Sequence, residues 1–316
     1  MEFMEGILNI DKPPEVTSHD VVAHARHILH ERRIGHTGTL DPFATGVLVV
    51  LVGRATRLAQ FLSGVEKEYD AIIRLGYATD TGDRTGNPIS DTKQTIGQTA
   101  AGPWSETEID AALGSLRGEI DQVPPMYSAK KQGGRRLYKL ARSGEEVARN
   151  AVRVCIHEFT ALKSDGQLIK DNLDGTFDFK VRVVCSSGTY VRTLAEDFGK
   201  RLGIGAHLAE LRRTRVGDLR VSEAITLEQL KTRFSEEALG TVLLSPDAAL
   251  SRMPFVHLSA DEARRARHGM EVKVSGAEWA DGEKIRMRDA DGQLIAIGYF
   301  QASDASLHAR VVIAPE

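Results

Sequence analysis

Gly35-His36-Thr37-Gly38-Thr39-Leu40-Asp41-Pro42-Phe43-Ala44-Thr45-Gly46 runs without a break into Val47-Leu48-Val49-Val50-Leu51-Val52. The first part reads as a loop: its glycines let the backbone approach something closely, and Pro42 turns Asp41 away from helical geometry. The second part is a short continuous apolar run, the pattern of a strand buried on both faces. Asp41 and His36 therefore stand immediately ahead of a core strand. On spacing alone each has an ordinary alternative. Asp before Pro is a common cap or turn residue, and a loop histidine commonly makes a single backbone bond.

Working outward, residues 6–10 read as a strand, and Asp11-Lys12-Pro13-Pro14 as a turn whose prolines forbid regular structure. Thr17 and Ser18 offer N-caps for a helix carrying Val21, Val22, Ala25, Ile28 and Leu29 at helical spacing to about residue 32. Downstream, residues 54–62 read as helix and 68–77 as strand. Ser105 with Glu108 forms a capping box for a helix to about residue 116. Pro124-Pro125 then opens a stretch with the Gly133-Gly134 pair and a short helix near 137–142. Paired strands are expected at 151–161 and 176–185, and helices at 189–202 and after Thr226 with Gln229. Residues 245–254 look like a linker, and short strands with turn signals follow from Phe255. The division is 1–250, with an insertion at about 120–150, and 251–316.

The composition is that of an ordinary folded chain. Of 316 residues, 41% are hydrophobic and 27% charged, with 29 Gly and 10 Pro, which excludes collagen-like and disordered classes. The longest aliphatic run, Val47 to Val52, is far too short to span a bilayer. Glu2 and Glu5 stand where a signal peptide carries positive charge, so a cytoplasmic protein is expected. Cys155 and Cys185 lack CxxC or His-pair spacing, so both read as small core residues, not as a disulfide or zinc framework. In the Thr79–Asn87 loop, Gly82 and Arg84 stand where a calcium loop needs oxygen ligands.

The net charge of -3 argues weakly against a nucleic-acid partner, but its distribution argues for one. Between Val123 and Arg149, Lys130, Lys131, Arg135, Arg136, Lys139, Arg142 and Arg149 face only Glu145 and Glu146. That is a local excess of +5, leaving -8 for the rest. Such a patch binds phosphate even on an acidic protein.

The segment 35–46 resembles the active-site signature of the TruB family of tRNA pseudouridine-55 synthases. Further motifs follow in the family's order. Leu8-Asn9-Ile10-Asp11-Lys12-Pro13 is similar to its N-terminal signature, Lys67-Glu68-Tyr69 to its tyrosine motif, and Thr79-Asp80-Thr81-Gly82-Asp83 to the loop after it. Pro124-Pro125-Met126-Tyr127-Ser128-Ala129 resembles the start of its RNA-gripping insertion. Cys185 to Arg192, with Gly188-Thr189-Tyr190-Val191-Arg192, resembles its arginine motif, and Gly205-Ala206-His207 to Leu211-Arg212-Arg213 the segment that closes the site.

The resemblance implies an α+β pseudouridine synthase fold, with a central mixed, largely antiparallel sheet flanked by helices, an inserted RNA-binding segment and a small C-terminal β-rich PUA-like domain. It implies isomerisation of uridine 55 in the tRNA T loop: the N-glycosidic bond is broken, the base turned, and C5 joined to C1′. No redox cofactor, metal or ATP is required. Asp41 takes the carboxylate role as nucleophile or charge stabiliser. Arg192 keeps that carboxylate charged and aimed. Tyr69 stacks on the extruded uracil and assists proton transfer. Tyr190 and Leu211 line the pocket, His36 fills the gap left by base flipping, and Asp83 joins the substrate-binding set. Lys130, Arg135, Arg136 and Arg142 of the insertion, with Arg212, Arg213 and Arg215, are expected on phosphates. The role of Lys12 stays open, between chemistry and fixing the loop. The implied partner is the tRNA T stem-loop, with no membrane, no guide RNA and a monomeric enzyme. Two rivals stand beside it: a guide-RNA-dependent subunit that modifies ribosomal RNA, and a tRNA-folding chaperone for which catalysis is secondary.

Overall fold

The computed structural model describes residues 4–89, 104–145, 147–163, 166–274 and 278–313. Glu2 and Glu146 lie outside them, as does the side chain of Arg142.

A ten-stranded sheet forms the larger part of the molecule. Its path is β1 (Gly6–Lys12), β3 (Thr45–Val52), β11 (Ala206–Val216), β4 (Lys67–Leu75), β10 (Phe177–Cys185), β8 (Val152–Ala161) and β5 (Gly118–Gln122). Three short strands attach to it: β2 (Ile34–Thr37) on β3, β9 (Ile169–Asp171) on β10, and β12 (Leu219–Arg220) on β11. All pairings along it are antiparallel except β3 with β11, which is parallel. The sheet is thus mixed and largely antiparallel. The 35–46 segment is not loop throughout, because Gly35 to Thr37 pair with Val49 to Leu51 and leave only 38–44 as the connection.

The doubly buried reading of Val47–Val52 follows from the two-residue period of a strand. Val47, Val49 and Leu51 join Ile7 on one face, against Leu294, Ile297, Val311 and Ile313 of the C-terminal part. Leu48, Val50 and Val52 join Leu8 and Ile10 on the other, against the helix Ser18–Leu29 and Leu230 of the helix Leu227–Ser235. Thr17 caps the first helix through a reciprocal box with Asp20, a device worth about 1 kcal/mol. The far half of the sheet packs Phe159, Phe179 and Val181 against Leu194, Ala195 and Phe198 of the helix Val191–Arg201. There the Phe179 and Phe198 rings stack at 5.3 Å.

The basic stretch forms its own two-stranded ribbon, β6 (Lys131–Gln132) with β7 (Arg135–Arg136), turned by Gly133-Gly134 and followed by the helix Leu137–Arg142. After it comes a second sheet of five strands: β13 (Phe255–His257), β14 (Glu271–Lys273), β15 (Lys284–Arg288), β16 (Leu294–Gln301) and β17 (Ser306–Val312). The stretch expected as a linker is instead pinned to it. Leu250 is buried, and Asp247 holds both Arg286, at 3.0 Å, and Arg288, at 2.6 Å. These two arginine–carboxylate contacts, one from an arginine only 5% exposed, tie the segment to the second sheet. Cys185 is a core residue as expected, whereas Cys155 is only half buried, with Sγ 3.6 Å from His157 Nδ1. Among the described residues no helix is long and apolar enough to cross a membrane.

Candidate active site

Asp41 lies in the connection between β2 and β3, and three contacts fix that connection. Lys12, fully buried at the end of β1, donates to the carbonyls of Pro13 (2.8 Å), Val16 (2.8 Å) and Pro42 (3.0 Å). Burial pulls its ammonium down to about 8, with Asp41 opposing. Ser18 receives the Leu40 N–H at 2.9 Å. Gly46 has φ +101°, and a Cβ there would stand 2.1 Å from the Arg213 carbonyl oxygen, so only glycine lets β3 pass β11 this closely.

Arg192 reaches Asp41 from the first turn of the helix Val191–Arg201. Its Nε is 3.0 Å from Oδ2 and its Nη2 donates to Oδ1 at 3.2 Å, a two-point fork. The guanidinium is further held by the carbonyls of Thr81 (2.9 Å) and Tyr127 (2.7 Å). The helix start is itself clamped, since Gln122 accepts from the Tyr190 N–H at 2.7 Å and donates to its carbonyl at 3.1 Å. Arg192 is 5% exposed, whereas the Asp41 side chain keeps 32% exposure. The carboxylate therefore faces open space with its cation behind it. Burial pushes the Asp41 carboxyl above its usual range. Arg192 opposes that push most strongly, Asp83 adds to it, and Lys12 and Arg213 oppose it.

The space in front of Asp41 is a cavity of about 250 Å³. Its floor comes from β4 and β11. Lys67 and Tyr69 are two apart and share a face, Arg213 stands opposite Tyr69 in register, and Leu211 lies two residues before it. Tyr190, Ser128 and Ala129 also line it, the last two brought by the insertion. Burial pushes the Tyr69 hydroxyl up while Arg213 opposes, and burial likewise raises Tyr190. A larger, mostly apolar cavity of about 690 Å³ lies elsewhere, lined by Phe61, Leu62, Val216, Leu250 and Met253, and shares no lining residue with this one. It carries its own arginine–carboxylate pair, Arg252 with Asp218, but those side chains are 73% and 51% exposed, a solvated surface pair with no buried guanidinium like that of Arg192 behind it.

The other expected site residues divide by what they touch. His36 does not line the cavity; it is half buried on β2, its ring meeting His19 edge-on at 5.4 Å. Burial, then His19, Arg213 and Arg136, lower it to about 4, so it is a neutral ring at pH 7. Asp83, expected among substrate-binding groups, is 4% exposed and turned inward. It accepts from Thr81 (2.9 Å), from the Thr85 N–H (2.9 Å) and hydroxyl (2.6 Å), and lies 3.6 Å from Arg192 Nη1. It is a second carboxylate on the arginine, with no face left for a ligand.

Of three arginines expected on phosphate, burial and pairing correct two and leave the third partly exposed. Arg213 is 1% exposed and donates to the carbonyls of Val47 (2.7 Å) and Gly38 (3.0 Å). Arg215 is held by Glu66 at 2.7 Å and Glu68 at 3.0 Å with a side chain 12% exposed. Arg212 is half exposed but bound to Asp11 at 2.7 Å. In the insertion, Lys130 is exposed, Arg136 is half buried near His36, and Arg135 pairs with Glu145 at 3.1 Å. The sequence reading left Lys67 without a role and missed the buried placement of Arg213. The signal was present: each is two residues from an expected site residue on the same strand.

One group of possible metal ligands is gathered among the described residues, Glu271, Asp304 and His308. The Lys273 ammonium already bridges its two carboxylates, at 2.8 Å from Glu271 and 3.2 Å from Asp304.

Residues 26–191 match the model of the TruB family pseudouridylate synthase N-terminal domain, and 192–251 that of the tRNA pseudouridylate synthase B C-terminal domain. A Thermobifida fusca protein named tRNA pseudouridine synthase B is 44% identical over 294 residues, 93% of this chain and 94% of the relative. One of the same name from Bacillus cytotoxicus is 42% identical over 271 residues, 85% of each chain. Among solved structures, a Cbf5-Nop10-Gar1 complex aligns with a TM-score of 0.74 at 27% identity, covering 98% of this chain and 85% of that one. An H/ACA RNP bound to a substrate RNA containing 2′-deoxyuridine aligns at 0.72 and 25%, covering 98% and 85%.

Proposed function

The chain belongs to the TruB family of pseudouridylate synthases, and from that premise we propose that it isomerises uridine 55 in the T loop of tRNA, with Asp41 as the reacting carboxylate. The observation that carries the reading is the forked Asp41–Arg192 pair, presented to a cavity large enough for a single base.

A uridine inside a folded T loop is stacked, so the nucleotide is turned out of the helix at a cost of a few kcal/mol. Tyr69 and Leu211 receive the uracil, Tyr190 closes one wall, and the neutral His36 ring fills the vacated stack. The C1′–N1 bond then opens beside the Asp41 carboxylate. The ring turns and C5 bonds to C1′; the C5 proton is lost and N1 gains one, so the product is an isomer. Nothing in that balance calls for a cofactor. Lys130, Lys131 and Arg136 hold phosphates of the T arm, and the small C-terminal sheet, as a PUA-like domain from about residue 251, adds to the RNA surface. The enzyme works in the cytoplasm as a monomer.

The structural neighbours come from assemblies whose descriptions name H/ACA RNP or further proteins, which raises the guide-dependent alternative. The basic insertion, whose Ser128 and Ala129 line the cavity, favours the self-guided reading. Isolated T stem-loop transcript incubated with the protein, followed by carbodiimide treatment and primer extension, tests it. A new stop at position 55 without any guide RNA is expected, and its absence refutes the reading.

A further inference from the structure

Two cations on the cavity floor take no part in the Asp41–Arg192 fork. Lys67 is 7% exposed, and its ammonium donates to the carbonyls of Ser63 (3.1 Å) and Val65 (2.9 Å), leaving one of three N–H groups. Arg213, 1% exposed, is bound only by neutral groups, the carbonyls of Val47 and Gly38 and the Tyr69 hydroxyl. Neither has a carboxylate within 4.0 Å among the described residues. The two converge on Gly38: a Cβ placed there would lie 3.4 Å from Lys67 Cε and 3.6 Å from Arg213 Nη1. Lys67 and Arg213 both line the cavity with Asp41.

Burying two like charges side by side without counter-ions is costly. Their mutual repulsion is part of what lowers Lys67 to about 8, although burial is the larger cause. It still carries its proton near pH 7. The arrangement becomes favourable when an anion arrives in the cavity.

We infer that Lys67 is a catalytic residue that donates its remaining N–H to a carbonyl oxygen of the flipped uracil, with Arg213 as the positioning cation behind it, and that together they take up the negative charge developing on the ring. The inference rests on the reading above. When the C1′–N1 bond breaks, its electron pair goes to N1 and spreads onto O2 and O4, while C1′ becomes electron-poor beside Asp41. If the carboxylate adds to C6 instead, the C5–C6 pair moves onto O4. Either route leaves charge on the ring oxygens, where a fixed donor in a water-poor site acts most strongly.

The test compares uridine with 5-fluorouridine at the target position, because the fluorinated ring leaves as a more stable anion. Lys67→Met should lower the single-turnover rate on uridine about 100-fold, the scale of losing one preorganised donor, with stem-loop affinity unchanged. On 5-fluorouridine, read as disappearance of the target nucleoside, the loss should shrink to about 10-fold or less. Lys67→Arg should restore most of the uridine rate. Equal losses on the two substrates, or full activity of Lys67→Met, would overturn the assignment. If Lys67→Met does not fold, Lys67→Gln, which keeps two N–H donors on a side chain one atom shorter and removes the charge, carries the same comparison. Wild-type conversion of uridine tests the function itself, so these outcomes bear on the cation alone.

Discussion

Arg192 grips Asp41 with Nε and Nη2 at 3.0 and 3.2 Å while a second carboxylate, Asp83, lies 3.6 Å from its Nη1. One guanidinium thus stands between two acids, one facing the cavity and one sealed in the protein. The inner acid and two carbonyls fix the arginine, and the arginine fixes the outer acid.

Arg192→Lys keeps a charge but cannot form the fork. Single-turnover activity should fall about 100-fold or more with little change in T stem-loop affinity. Arg192→Gln removes the charge and leaves Asp41 and Asp83 facing each other, which should cost about 3 kcal/mol or more of stability. Urea titration of both variants checks this, and equal stabilities would contradict it.

Asp83→Asn acts through the arginine, since the Asp83 side chain has no open face. Its catalytic loss should resemble that of Arg192→Lys, and the double variant should lose far less than the sum of the two. A double-mutant cycle on single-turnover rates reads that coupling, and simple additivity would show that the two residues act independently.

The pH profile follows from the raised Asp41 carboxyl. Activity needs the carboxylate, so the acid limb should lie above the ordinary aspartate range, and Arg192→Gln should move it toward neutrality. Stability runs the other way. An acid whose folded value is raised binds more protons folded than unfolded, so between the unfolded and folded values this group's contribution declines as pH rises. Rate-pH profiles of the wild type and variant, each with urea midpoints, should show activity rising where the Asp41 contribution falls.

Much of this was legible in the sequence. The apolar run at Val47 marked the core strand, the cap at Thr17 and the pairs Ser105 with Glu108 and Thr226 with Gln229 marked three helix starts, and the ordered motifs named Asp41, Tyr69 and Arg192, which line one cavity. What escaped depends on partners distant in sequence. Whether Arg213 reaches solvent is decided by its pairing beside β3, and whether Arg215 is free is decided by Glu68 on the neighbouring β4 and Glu66 just before it. A run of basic residues reads as a binding surface until the strand pairing is known. Likewise, nothing local to Ser245–Pro254 announces that Arg286 and Arg288 will hold it down.

Lys12 links the two stretches nearest Asp41. Lys12→Met leaves three carbonyls unmet, including that of Pro42, and should cost about 2 kcal/mol or more. The rate should fall because the Asp41 connection loosens, while T stem-loop binding stays near wild type. A variant with unaltered melting temperature and rate would remove Lys12 from the account.

The insertion predicts salt dependence. Affinity for tRNA should fall steeply with ionic strength despite the net charge of -3. Lys130→Ala with Lys131→Ala should weaken binding and reduce the slope of log affinity against log salt by about one to two. Filter binding over a salt series measures it, and an unchanged slope would mean these lysines do not touch phosphate.

The most direct measurement is single-turnover conversion of T stem-loop RNA by Asp41→Asn, with its affinity measured in parallel. The near-isosteric amide should bind the RNA as the wild type does and form pseudouridine at least about 10⁴-fold more slowly. Turnover within tenfold of wild type would contradict the assignment of the chemistry to this carboxylate.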